Sequence, residues 1–183
     1  MLIPSLFLPM KNLHVKKSKH GRGVFAGKNF ARGEKILSFE GPYLQGEELP
    51  IPYDSVSDHY VQIAANAYLG PSGNVDDFVN HSCDPNTGIH IDGQNADLVA
   101  IRDIAEGEEI TWDYSTTMDD EEDDWEMACL CGKIGCRIRI RDFRHLPIAL
   151  QKKYIALGIV PSYLAKAMPA AADLGSGNSP VPK

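Results

Sequence analysis

The chain has 183 residues, 43% hydrophobic and 23% charged, which suits one domain with a sizeable apolar core and excludes wholesale disorder, a collagen-like fibre and a disulfide-dense miniprotein. No apolar run reaches the roughly 18 residues of a membrane span, and the net charge of −7 argues against direct nucleic-acid binding, which relies on a basic face. Much of that charge is one run, Asp119–Asp124; the rest of the chain holds 19 acids against 18 bases and is nearly neutral.

In chain order, Met1–Met10 is apolar but short, carries two prolines and follows no basic residue, so it reads as an N-terminal strand or packed arm rather than a signal peptide. Leu13–Lys17 alternates as a strand does. In Gly21–Ala26 (GRGVFA) two glycines frame Arg22, which suits either an ordinary turn or close backbone approach to a ligand. Glu34–Phe39 reads as a strand, Pro42, Pro50 and Pro52 punctuate a loop, and Tyr60–Ile63 with Ala67–Leu69 forms a candidate hairpin. Asp76–Val79 suits one helical turn, and Asn80–Gly88 is so dense in turn formers that it predicts irregular backbone. Leu98–Ile101 and Glu109–Trp112 are further strands. The whole predicts a mostly β domain.

After Cys136 the period changes. Leu146, Leu150, Tyr154 and Leu157 share one face of a helix over Pro147–Leu157, with Pro147 near its start and Gly158 past its end. A shorter helix is expected at Pro161–Ala167, and a disordered tail over 168–183.

The four cysteines are Cys83, Cys129, Cys131 and Cys136. A single residue between Cys129 and Cys131 strains a mutual disulfide. C-x-C-x4-C, closed by Cys83 from afar, fits a tetrahedral zinc site of four thiolates; two disulfides or free thiols are the alternatives on spacing alone.

Four segments taken in order sharpen the reading: Gly21–Ala26, then Asn80-His81-Ser82-Cys83-Asp84-Pro85-Asn86, then Glu108-Glu109-Ile110-Thr111-Trp112-Asp113-Tyr114, then the C-x-C-G-x3-C-R stretch at Cys129–Arg137. Together they resemble the SET-domain protein lysine methyltransferases that carry a cysteine-rich post-SET segment. The resemblance implies small curved β-sheets around a pseudo-knot, a post-SET zinc flap and a C-terminal helix. Its divisions would be a SET domain at 12–118, a zinc segment at 125–141 and a helical segment at 142–167.

The resemblance also implies roles. S-adenosylmethionine would be the methyl donor, held by Arg22, Gly23, Tyr60, Asn80 and His81, and Zn2+ would be structural, held by the four cysteines. Tyr114 would be catalytic, its hydroxyl at the transferring methyl, with Phe39 and Trp112 lining a lysine channel. That chemistry requires a neutral amine aligned with a sulfonium and shielded from water, which an aromatic channel provides. Asp113 is expected to hydrogen-bond backbone, and Glu108 and Glu109 to serve the turn and the strand that follows it.

Two positions depart from the family pattern. Phe39 stands where a channel tyrosine is usual, and Asp77 where arginine is usual. The expected acceptor is a lysine in a basic protein or tail, such as a histone, a histone-like protein or a ribosomal protein, with Asp119–Asp124 either attracting it or forming a solvated loop. Rival readings are a catalytically weak SET-like peptide-binding module and a methyltransferase acting on a non-protein amine. The protein is expected to be a monomer or homodimer, cytoplasmic if bacterial and compatible with the nucleus if eukaryotic or viral.

Overall fold

The computed structural model describes residues 12–19, 21–50, 59–119 and 126–167; the arm at Met1–Met10, the acidic run beyond Asp119 and the tail at 168–183 lie outside them. Among the described residues, strands group into four small sheets. β1 (Leu13–Ser18) and β2 (Gly21–Ala26) form an antiparallel hairpin pairing Val15 with Val24. The GRGVFA segment is therefore strand and not turn; only Gly21, at φ +94°, needs the freedom of glycine.

β3 (Lys35–Phe39) pairs with β9 (Asn95–Ala100), which pairs in turn with β8 (Thr87–Asp92). The β8–β9 hairpin turns at Gly93, φ +60°. The irregular backbone expected over Asn80–Gly88 is confined to Ser82–Asn86, since Asn80–His81 is a short strand and Thr87 starts β8. β4 (Tyr43–Gln45), β6 (Ala67–Leu69) and β5 (Val61–Ala64) form the third sheet, and the hairpin expected from the sequence is its β5–β6 half. The helical turn near Asp76 is a 3-10 turn at Val75–Phe78.

One apolar cluster unites the three sheets that contain β1, β3 and β4. Val24, Leu37, Phe39, Ile89, Leu98, Ile104, Ile110 and Trp112 are all buried in it. A second, smaller cluster of Phe143, Leu146, Tyr154, Ile159 and Leu164 holds α1 (Ile148–Ala156) and α2 (Ser162–Ala167). Pro147 stands at the N-cap of α1, and Gly158, at φ +69°, follows its end. Tyr163 of α2 donates its hydroxyl to the carbonyls of Thr117 (2.5 Å) and Gln62 (3.2 Å). Gly88 lets Ile159 close in, since a Cβ there would lie 2.3 Å from Ile159 Cγ2. The helices are thus fastened to the chain just beyond Tyr114.

Candidate active site

Strand β10 (Glu109–Trp112) brings the distant motifs together. It pairs antiparallel with β2, Ile110 against Val24, and parallel with β7 (Asn80–His81), Thr111 against Asn80 and Trp112 against His81. Three segments spread over some 90 residues of chain thereby become neighbours in one sheet. Asn86 fastens the loop after β7 to β10: its Nδ2 donates to the Glu109 carbonyl (2.8 Å) and its Oδ1 accepts from the Thr111 N–H (2.8 Å). Thr87 Oγ1 adds a bond to the Thr111 carbonyl at 2.8 Å.

A cavity of about 240 Å3 lies along this junction. Lys19, Arg102 and Lys133 bring cations to its wall, Glu108 and Glu109 bring carboxylates, and Asn80, His81, Ser82, Asn86, Thr111 and Cys131 complete it. Arg102 holds the Glu108 carboxyl below the usual carboxylate range. Glu109 Oε1 accepts from Ser18 Oγ (2.7 Å) and from Asn80 Nδ2 (2.8 Å). Asn80 Nδ2 also donates to the Arg22 carbonyl at 3.0 Å. The donors of Asn80 are therefore committed within the protein, while its Oδ1 has no partner among the described residues. Gly23 lies against this pair, and a Cβ there would sit 2.3 Å from Glu109 Oε1 and 2.8 Å from Asn80 Nδ2.

Beside the cavity runs a row of rings. Phe39 is 5.8 Å from Trp112, Trp112 is 4.9 Å from Tyr114, and Tyr114 is 5.3 Å from His81. Phe39 and Trp112 are buried, and the Tyr114 hydroxyl donates to the Val79 carbonyl at 2.9 Å. His81 Nδ1 accepts the Tyr114 backbone N–H (3.2 Å), so the ring proton belongs on Nε2, which faces Cys83 Sγ at 3.3 Å.

The four cysteine sulfurs converge within 4.8 Å of one another. Sγ of Cys129 is 3.5 Å from that of Cys83 and 3.6 Å from that of Cys136. A tetrahedron with Zn–S bonds of about 2.3 Å has edges of about 3.8 Å, so the donor set and its spacing fit zinc. No pair is at disulfide distance; all four thiols are free. Burial pushes the Cys83 thiol up to about 11.

Beyond the thiols, β11 (Glu126–Ala128) and β12 (Arg139–Arg141) close the flap as a short antiparallel pair. Ile138 sits between them at φ +67° and exposed, a left-handed conformation that costs a branched residue about 1–2 kcal/mol. Replacing it with glycine (I138G) should raise the flap's stability by about 1 kcal/mol after glycine's entropy is counted. A slower release of metal to a chelator would register the gain.

Asp113 does more than the backbone role expected of it. Its carboxylate, fully buried, accepts Arg137 Nη1 (2.7 Å) and Nη2 (2.6 Å) in a two-pronged pair. Arg137 also donates its backbone N–H to Cys83 Sγ at 3.4 Å, joining the flap to the strand that ends at Tyr114.

Of the residues expected at a cofactor site, Asn80 and His81 line the cavity. Arg22, Gly23 and Tyr60 are not in its wall. Arg22 contributes its carbonyl to Asn80 and lays its guanidinium 3.9 Å over the Phe78 ring, and Gly23 acts by leaving room. Tyr60 makes no hydrogen bond among the described residues. Lys19, Asn86 and Glu109 were missed as lining residues; for Asn86 and Glu109 the signal was their place inside motif segments. Asp77 accepts the N–H groups of Ser72 (3.0 Å) and Gly73 (2.7 Å), a local loop role that accounts for that departure. Asp119 is tied to Gln62, whose Oε1 accepts its N–H at 2.9 Å.

Residues 21–115, just over half of the chain, match the family model described as the SET domain. Over 161 residues the chain is 30% identical to the human protein named histone-lysine N-methyltransferase 2B, covering 73% of this chain and 6% of that relative's length. Among solved structures it resembles the methyltransferase domain of human histone-lysine N-methyltransferase SETMAR, with a TM-score of 0.58 and 24% identity over 71% of this chain and 58% of the other. It also resembles KRYPTONITE in complex with mCHH DNA, H3(1-15) peptide and SAH, with a TM-score of 0.55 and 22% identity over 70% of this chain and 29% of that one. The mostly β fold expected from the four motifs is the fold of these proteins.

Proposed function

The chain belongs to the SET-domain family, and on that premise we propose that it is an S-adenosylmethionine-dependent protein lysine N-methyltransferase. The observation that carries the reading is the meeting, at β10, of a mixed-charge cavity with a row of rings in which Phe39 and Trp112 are buried and Tyr114 is half-buried. When bound, S-adenosylmethionine supplies a methyl on a positively charged sulfur, which passes to an amine lone pair by in-line displacement. Its ammonium, carboxylate and hydroxyls match a wall carrying both signs of charge. Asn80 Oδ1, without a partner among the described residues, would accept from its ammonium, and Lys19, Arg102 and Lys133 are the candidates for its carboxylate.

The acceptor lysine lies along Phe39, Trp112 and Tyr114. Desolvation against these rings lowers its pKa from about 10.4, and it gives its proton to solvent before it reacts. The Tyr114 hydroxyl and the Val79 carbonyl orient the neutral amine and offer oxygens to the polarised methyl. The four cysteines would hold Zn2+, and four thiolate ligands would make its part structural.

Gly23→Ala tests the cofactor half of the reading. The new methyl must push Glu109 and Asn80 aside, so S-adenosylmethionine affinity should fall by about tenfold or more in calorimetry, about 1.4 kcal/mol. A histone tail is the acceptor class that the relatives suggest: one is named for histone lysine, and KRYPTONITE was solved with an H3 peptide. The test of function is transfer from methyl-labelled S-adenosylmethionine to core histones and whole-cell protein, with free polyamines in a parallel tube. Label on a discrete basic protein supports the reading. Label on the polyamine alone makes the acceptor a non-protein amine. Cofactor binding without transfer to either makes the domain a peptide-binding module.

A further inference from the structure

We propose that Tyr154, on α1, is a positioning residue for methyl transfer: its hydroxyl holds the Asp113 carboxylate, and through it the backbone of Tyr114. The proposal rests on the methyltransferase reading above. Tyr154 lies outside the residues that match the family model and belongs to the second apolar cluster. It is 1% exposed, and its hydroxyl donates to Asp113 Oδ2 at 2.9 Å. Phenylalanine would fill the same space, so packing against Leu146 and Ile159 does not account for the hydroxyl.

The geometry of Asp113 gives that hydroxyl a use. Its carboxylate is gripped from two directions: Arg137 reaches it from the flap, and Tyr154 reaches it from the helix. A third donor, the Ser115 N–H at 3.2 Å, bends the chain immediately around Tyr114. Asp113 and Tyr114 share a peptide unit, so a turn of Asp113 moves the Tyr114 N–H off His81 Nδ1 and shifts its ring between Trp112 and His81. The two grips differ in what sustains them. Arg137 sits one residue from Cys136 and bonds Cys83 Sγ, so its place depends on the thiol cluster. Tyr154 is held by an apolar cluster of its own. Its hold on Asp113 therefore does not depend on the thiol cluster.

The test compares Tyr154→Phe with Tyr163→Phe in the full chain. Tyr163 also loses a buried hydroxyl bond, but to the carbonyls of Thr117 and Gln62 rather than to Asp113. For Y154F we expect kcat to fall about tenfold with acceptor KM and cofactor affinity within about twofold, and hydrogen exchange at the Tyr114 N–H to quicken about tenfold. Y163F should lower the unfolding midpoint to a similar degree and leave kcat and that exchange as in the wild type. Wild-type exchange at Tyr114 in Y154F overturns the proposal, as do equal effects in the two variants. Failure of Y154F to fold overturns it too, because the hydroxyl is then a folding requirement. If the wild type transfers methyl to nothing, it is the methyltransferase reading that fails, and the exchange comparison still decides whether Tyr154 holds Tyr114.

Discussion

Tyr114→Phe should lower the methyl-transfer rate by at least about 10²-fold while leaving S-adenosylmethionine affinity within about twofold. The substitution removes one oxygen. The ring stays in its row, 4.9 Å from Trp112 and 5.3 Å from His81, so the row keeps its shape. What goes is the group that donates to the Val79 carbonyl at 2.9 Å and that, in the role proposed for it, offers its oxygen to the reacting methyl. Lost alignment, rather than lost binding, then dominates. Tyr114 is not in the wall of the cavity, which is why cofactor affinity should hold. The folded state loses one hydrogen bond, about 1 kcal/mol, too little to unfold the domain. Single-turnover transfer and calorimetric binding, run on the same preparation, separate the two quantities.

Stripping the metal, or the change Cys83→Ser, should abolish transfer by releasing the flap. Besides the thiols, residues 126–141 are held chiefly by the Arg137–Asp113 pair and a short ladder. β11 and β12 pair over three residues each, and Leu130, Ile134 and Ile138 point into solvent while Cys129 and Ile140 are buried. Structural zinc in small domains supplies about 10–16 kcal/mol of apparent binding, and zinc held by the four thiols would add that order of energy to the flap. Cys131 and Lys133 line the cavity, so cofactor affinity should fall together with the rate. The main apolar cluster contains no thiol ligand, so the unfolding midpoint of the core should move little. Limited proteolysis after chelation should cut between Cys129 and Ile138 and spare the strands. Acid should act in the same direction: metal-bound thiolates are stable at higher pH, and protons compete for the sulfurs as the pH falls.

Local signals read most of the scaffold correctly. The alternation of Ile110 and Trp112 marks β10, and the spacing of Leu146, Leu150, Tyr154 and Leu157 marks the buried face of α1. Short-range signals failed where a partner lies far away in sequence. The pairing of Glu126–Ala128 with Arg139–Arg141 has no hairpin turn to announce it, because the thiol cluster brings the two ends together. Thr87 was lost among the turn formers before it, and its strand is revealed by the Gly93 hairpin. At the site, Asn80, His81, Trp112 and Tyr114 were legible from their motifs. Lys19 was not, because nothing around it predicts that the end of β1 borders a cavity. Asp113 shows why a motif alone is insufficient: its partners Arg137 and Tyr154 lie 24 and 41 residues further along the chain.

The most direct test of lysine transfer is to identify the labelled atom. Wild type and Tyr114→Phe would be incubated with methyl-labelled S-adenosylmethionine and core histones, and the protein fraction hydrolysed to amino acids and separated. The wild-type label should elute as Nε-methyllysine, and the variant should yield almost none. Label on another amino acid, or methyllysine formed equally well by Tyr114→Phe, would contradict lysine transfer through Tyr114.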